Sequence, residues 1–154
     1  MKTLVSIIRR ACVSGSLASL SSTAALAVAG SRDCRSTFAP VNAISHWIWK
    51  DKAIRQNKPS LRYTATGYVI HHLAAIFWAL FFEAAAPHGR KRRGPEVIAD
   101  ATAVTALAAT VDLKCTPERL TPGFERRVEP RALTGVYVAF GIGLALYAWS
   151  QRSR

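Results

Sequence analysis

GYVIHHLAAIFWALFFE, residues 67–83, decides the fold. It holds no Lys or Arg, and its one acidic residue, Glu83, closes it. The uncharged run around it, residues 63–82, is about 20 residues long, enough to cross ~30 Å of hydrocarbon at ~1.5 Å per residue. Residues 11–31 and 132–151 form two more uncharged runs of similar length. A fourth, VIADATAVTALAATVDL at 97–113, is Ala/Thr-rich with Asp100 and Asp112 near its ends. Such a segment inserts poorly alone and suits a place shielded by other helices. The expected fold is therefore all-α: one polytopic membrane domain over residues 1–154, a four-helix up-down-up-down bundle.

Composition supports this. Half the chain is hydrophobic and 19% is charged, below the ~25% of soluble proteins. The net charge is +12, which in a soluble chain would suggest a polyanionic partner. Here the basic residues gather at the ends of the uncharged runs, as in membrane-protein loops. The expected partner is the lipid bilayer, with another membrane protein or a second copy as candidates, and no nucleic acid.

The first run has two readings. MKTLVSIIRR is a basic leader and Ala25-Leu26-Ala27 has the small-x-small form of a cleavage signal. A signal peptide, however, has a compact apolar core, and this run is rich in serine. Gly15, Ser19, Thr23 and Ala27 instead form an i, i+4 ridge of small residues that favours close helix packing, so a retained span is expected. With four spans, the N-terminus, the 83–96 loop and the C-terminus share one side. The opposite side holds more basic residues in total, spread over longer loops. The dense Arg90, Lys91, Arg92 and Arg93 cluster is taken as the topology anchor, which places both termini in the cytoplasm.

The first loop contains NAISHWIWKDKAIRQNKP, residues 42–59. Asn42 reads as a helix cap and Pro59 as a stop, with Trp47 and Trp49 beside lysines suiting a short interfacial helix. The later loop holds Thr116-Pro117 and Thr121-Pro122, each reading as a cap before a first-turn proline, and Pro130 opens the last span similarly.

The candidate chemistry is at His71 and His72, at the midpoint of the second span. Ionisable groups at that depth are costly and usually face the bundle interior. Gly67, His71, Ala75 and Ala79 share one ridge, flanked by Tyr68 and His72. Three roles compete: interhelical hydrogen bonding, proton or substrate contact, and ligation of haem or a metal. Ligation lacks support, because adjacent histidines diverge by about 100° around a helix and the other spans contain no histidine. Asp100 and Asp112 each stand ~10 Å in depth from the pair, and interfacial ion pairs suit Asp100 and Glu83. No metal or other cofactor is expected. Cys34 and Cys115 follow the first and third spans on one face, which makes a disulfide feasible if that face is oxidising. The last span carries a packing ridge of Gly135, Ala139 and Gly143.

No phosphate loop, nucleophile elbow, zincin motif or dinucleotide fingerprint occurs, so no enzyme is expected. Two blocks, NAISHWIWKDKA…LRYTATGYVIHHLAAIFWALFFE and CTPERLTPGFERRV…LTGVYVAFGIGLAL, resemble a group of small proteobacterial inner-membrane proteins with no assigned activity. The likeness covers residues 40–85 and 112–146. It implies a bacterial source and a membrane location, and transfers no residue roles. The expected function is a non-enzymatic packing, scaffolding or modulating component. The alternative is a small transport, proton- or electron-transfer component using His71 and His72.

Overall fold

The computed structural model describes residues 4–86 and 91–151. Among them the chain is an all-helical bundle with no strand. Seven α-helices occur: α1 Leu4–Asp33, α2 Ala39–Ile44, α3 His46–Trp49, α4 Asp51–Ile54, α5 Thr66–Ala84, α6 Gly94–Thr110 and α7 Pro130–Ser150. A π-helical turn, Leu61–Ala65, leads into α5, and another, Val111–Cys115, ends α6. Three helical stretches are long and apolar enough to cross a membrane: Leu4–Asp33, Leu61–Ala84 and Pro130–Ser150. The expected 97–113 segment is helical, but shorter and outside that set.

α1 packs against both α5 and α7, and α6 packs mainly against α7. The buried face of α1 comprises Ala11, Ser14, Gly15, Ala18, Ser19, Ser22, Leu26, Ala29 and Gly30, so Gly15 and Ser19 of the expected ridge are on it. Its steps mix three and four residues, and the expected straight i, i+4 ridge stays on it only through Gly15 and Ser19. Four-residue steps overshoot a 3.6-residue turn, so Thr23 and Ala27 drift to half-buried positions. Several of the serines that make α1 poorly apolar hide their hydroxyls in the helix itself, while the buried Ser19 hydroxyl has no partner among the described residues. Ser14 donates to Arg10 O, Ser16 to Cys12 O and Ser22 to Ala18 O, at 2.6–3.0 Å.

Small residues set the helix separations. A Cβ on Gly143 would lie 2.4 Å from Ala18 Cα, and one on Gly15 2.7 Å from Ile76 Cα, so α7 and α5 meet α1 backbone to backbone. Gly135, expected on the same ridge as Gly143, meets nothing within 4 Å.

The two long loops fold into one cap over the shared ends of α1, α5 and α7. The single interfacial helix expected after Asn42 is instead three short helices, broken at Ser45 and at Lys50, whose φ is 51°. Asn42 is no cap. It is fully buried, its amide donating to Gln56 O and Lys58 O while its Oδ1 accepts from the Thr64 hydroxyl at 2.6 Å. The Trp47 indole donates to Thr121 O at 2.8 Å, and the Arg127 guanidinium donates to Ile54 O and Asn57 Oδ1. Thr116 and Thr121 do not cap either. Their hydroxyls donate backward to Val111 O and Glu118 O. Gly123, with φ 88°, lets the later loop touch α2, where a Cβ would strike Ala43 O. Pro130 does open α7. Leu26, Val41, Ile44, Phe124 and Val136 form a small core beneath the cap, separate from the main core between the long helices.

Candidate functional site

His71 and His72 diverge from the middle of Leu61–Ala84, as adjacent helical residues must. His71 turns toward α1, where its Nε2 lies 2.8 Å from Ser22 Oγ. The Phe124 ring of the cap meets the imidazole edge-on, 6.4 Å between centroids. His72 packs on Tyr68 at 5.7 Å, and its buried Nδ1 has no hydrogen-bond partner among the described residues.

Beside His71 lies a cavity of about 470 Å³ between the cap, α5, the end of α6 and α7. Its walls are mostly apolar, with Phe77, Trp78, Phe124 and Phe140 prominent. The exceptions are few. Ser22 and His71 supply one polar pair, Asp112 and Tyr137 a second, with the Tyr137 hydroxyl 3.2 Å from Asp112 Oδ2. The sequence separated Asp112 from the histidines by helix rise alone. The π-helical turn at Val111–Cys115 and the in-folded loops bring it to the wall His71 lines.

Asp100 does not join them. It pairs with Arg92 at 3.3 Å, while Glu83, fully buried, pairs with Arg10 at 2.9 Å. Arg10–Glu83 ties the start of α1 to the end of α5, and Arg92, paired with Asp100 of α6, reaches the end of α5 through Phe82 O. Arg92 corrects the reading of the basic cluster as wholly solvated. Its side chain is 3% exposed, stacks over Phe82 at 4.1 Å and donates to Phe82 O. Burial pushes its pKa down, opposed by Glu83 and Asp100. Lys91 and Arg93 are exposed, and Arg90 lies outside the described residues.

Trp47 and Trp49 are anchored through their indoles. Trp49 donates to Arg62 O and carries the Arg62 guanidinium 4.1 Å over its ring. Cys34 and Cys115 are free thiols, not a disulfide. Cys34 Sγ turns back to Gly30 O at 3.2 Å, and Cys115 is exposed at the end of its turn. Among the described residues no three His, Cys, Asp or Glu side chains form a group able to hold a metal ion.

Sequence reasoning missed Ser22, Tyr137 and Phe124 as neighbours of the histidine level, and missed the Arg10–Glu83 pair. Ser22 carried one usable signal, its place on the small-residue face of α1. Comparison with family models, with curated proteins and with solved structures finds no match to the chain.

Proposed function

We propose that the chain is a multi-pass protein of a bacterial inner membrane that packs against and modulates a partner, without catalysis of its own. In this reading α1, α5 and α7 span the bilayer and α6 crosses as a fourth, shielded segment, up-down-up-down. The ties at each end support that order. Arg10–Glu83 and Arg92–Asp100 gather one set of helix ends, and Trp47 to Thr121 with Glu129 N–H to Asp33 gather the other. Both termini lie on the cytoplasmic side with Lys91 and Arg93. The partner is another membrane protein or a second copy, met through lipid-facing apolar surface, and no nucleic acid is involved.

The observation that carries the packing role is the Ser22–His71 contact. It commits the mid-depth imidazole to holding α1 against α5, as polar side chains do between membrane helices. Labelling with a membrane-impermeant maleimide tests the placement. Cys34 and Cys115 should label from the periplasmic side of spheroplasts, and labelling from the cytoplasmic side alone overturns the orientation.

A second reading, proton or electron transfer through the histidines, is favoured by the unpartnered His72 Nδ1. A Soret band in the purified protein that vanishes in His72→Ala would establish it over the first.

A further inference from the structure

We propose that the cavity beneath the cap binds a membrane-soluble phenol, an aromatic ring bearing a hydroxyl head and an apolar tail, admitted from the bilayer. Only the route of access rests on the membrane placement argued above.

The cavity has the size and character of a small-molecule site. Its 470 Å³ falls within the ~300–1,000 Å³ typical of such pockets, and it combines an apolar wall with few polar groups. Four structural units converge on it: α1, α5, the turn after α6, and α7, with the cap as a roof. Aromatic side chains on several of these favour an aromatic guest, because ring–ring contacts add to simple area burial.

The hydrogen-bond inventory specifies the head. Ser22 has one hydroxyl proton, and its Oγ lies 2.7 Å from Ala18 O, which can only accept. We assign that proton to Ala18 O, the shortest of its contacts, which gives His71 the tautomer that donates from Nε2 to Ser22 Oγ across their 2.8 Å contact. A neutral His71 is then left with Nδ1 as a bare acceptor. Asp112 accepts from the Tyr137 hydroxyl and from the Trp78 indole, and a carboxylate's two oxygens still keep acceptor capacity to spare. The hydroxyl protons of Ser22, Thr116 and Tyr137 are already donated to Ala18 O, Val111 O and Asp112, so what the wall offers a guest is acceptors, and the missing partner is a donor. A neutral hydroxyl meets that need. A fixed cation would lose its hydration against apolar walls and a single carboxylate, at far higher cost. A quinone or ester, which offers acceptors alone, leaves the site unsatisfied.

The rim shows where the guest enters. Leu73, Phe77 and Leu120 are 60%, 51% and 46% exposed around the opening. Apolar side chains there fit a lateral opening to lipid and an apolar tail leaving through it.

The test compares 4-nonylphenol with nonylbenzene, which shares the ring and tail but lacks the hydroxyl. Full-length protein in micelles is titrated with each, read by tryptophan fluorescence, since Trp47 and Trp78 line the cavity, and by calorimetry. Saturable binding of the phenol, at least about tenfold tighter than nonylbenzene, is expected from a hydrogen bond to a charged acceptor. Asp112→Ala should erase that difference. Ala74→Phe, at a half-buried wall position, fills the cavity and should abolish saturable binding while circular dichroism and melting remain like wild type. Equal affinity for the two probes, no saturation, or unchanged phenol binding in folded Ala74→Phe overturns the proposal. Should Asp112→Ala fail to fold, the probe pair on the wild-type protein and Ala74→Phe still decide. Because binding is measured in micelles, its failure leaves the labelling experiment on topology untouched.

Discussion

Replacing Glu83 with alanine probes the most heavily buried charge in the bundle. Glu83 is 1% exposed and its carboxylate lies 2.9 Å from Arg10, whose side chain is 33% exposed. At an effective dielectric of about 20, attraction at that distance is about 6 kcal/mol before desolvation is subtracted. Breaking a buried pair by removing one partner typically costs ~3–5 kcal/mol, because the survivor keeps its desolvation penalty and loses its compensation. Arg10 can relieve part of that by extending its head toward water along its apolar stem. Arg92 is too buried to do the same, but it retains Asp100. Both considerations place Glu83→Ala at the lower end, about 3 kcal/mol, or roughly two decades in the folding equilibrium.

The assay is reversible SDS unfolding in mixed micelles, followed by far-ultraviolet circular dichroism and by the emission of Trp78, which is 8% exposed beside this core. The double variant Arg10→Met, Glu83→Met supplies the control. It removes both charges and keeps apolar volume, so it should lose less than Glu83→Ala. A loss under about 1 kcal/mol for Glu83→Ala, or a double variant as unstable as the single one, refutes the claim that the pair locks α1 to α5.

Other substitutions report on other joints. Ser22→Ala removes the acceptor of His71 Nε2–H and leaves a buried donor unmatched, so it should cost ~1–3 kcal/mol by the same unfolding assay. Gly143→Val drives a side chain into the Ala18 backbone and should destabilise by ~1–3 kcal/mol, whereas Gly135→Ala, facing open space, should be close to neutral. Asn42→Ala deletes three hydrogen bonds at a fully buried position. Amide exchange should rise across residues 39–60 while the cores of α1 and α7 stay protected.

The three membrane-length helices were legible because their signal is local. A run of uncharged residues has its length written in the chain: the second and third of these helices end within two residues of the expected bounds, while the first begins seven residues earlier, at Leu4, taking in the basic leader. The serines of α1 made the first run ambiguous on hydropathy alone. The hydroxyls of Ser14, Ser16 and Ser22 are satisfied by carbonyls one turn back, so hydropathy overstated their polarity. The cap was illegible for the opposite reason. Its decisive bonds join residues far apart, Trp47 to Thr121 and Arg127 to Ile54, and no local pattern encodes them. Short-range rules accordingly assigned Asn42, Thr116 and Thr121 as caps, and long-range or backward bonds took their polar groups instead.

Arg92 and His71 show the same limit at single residues. Flanked by Lys91 and Arg93, Arg92 looks like one more solvated charge, yet an aromatic ring and an acidic residue on the next helix turn it inward. His71 has the reverse history. At mid-helix it demands an explanation, and what answers its side chain among the described residues is Ser22, 49 residues earlier in the chain. A polar residue in an apolar helix therefore announces that something must answer it, and the tertiary fold determines what does. Here Ser22 answers one nitrogen of the imidazole. The other belongs to a ring that lines the same cavity as Asp112, and that juxtaposition is a property of the assembled bundle that neither helix carries alone.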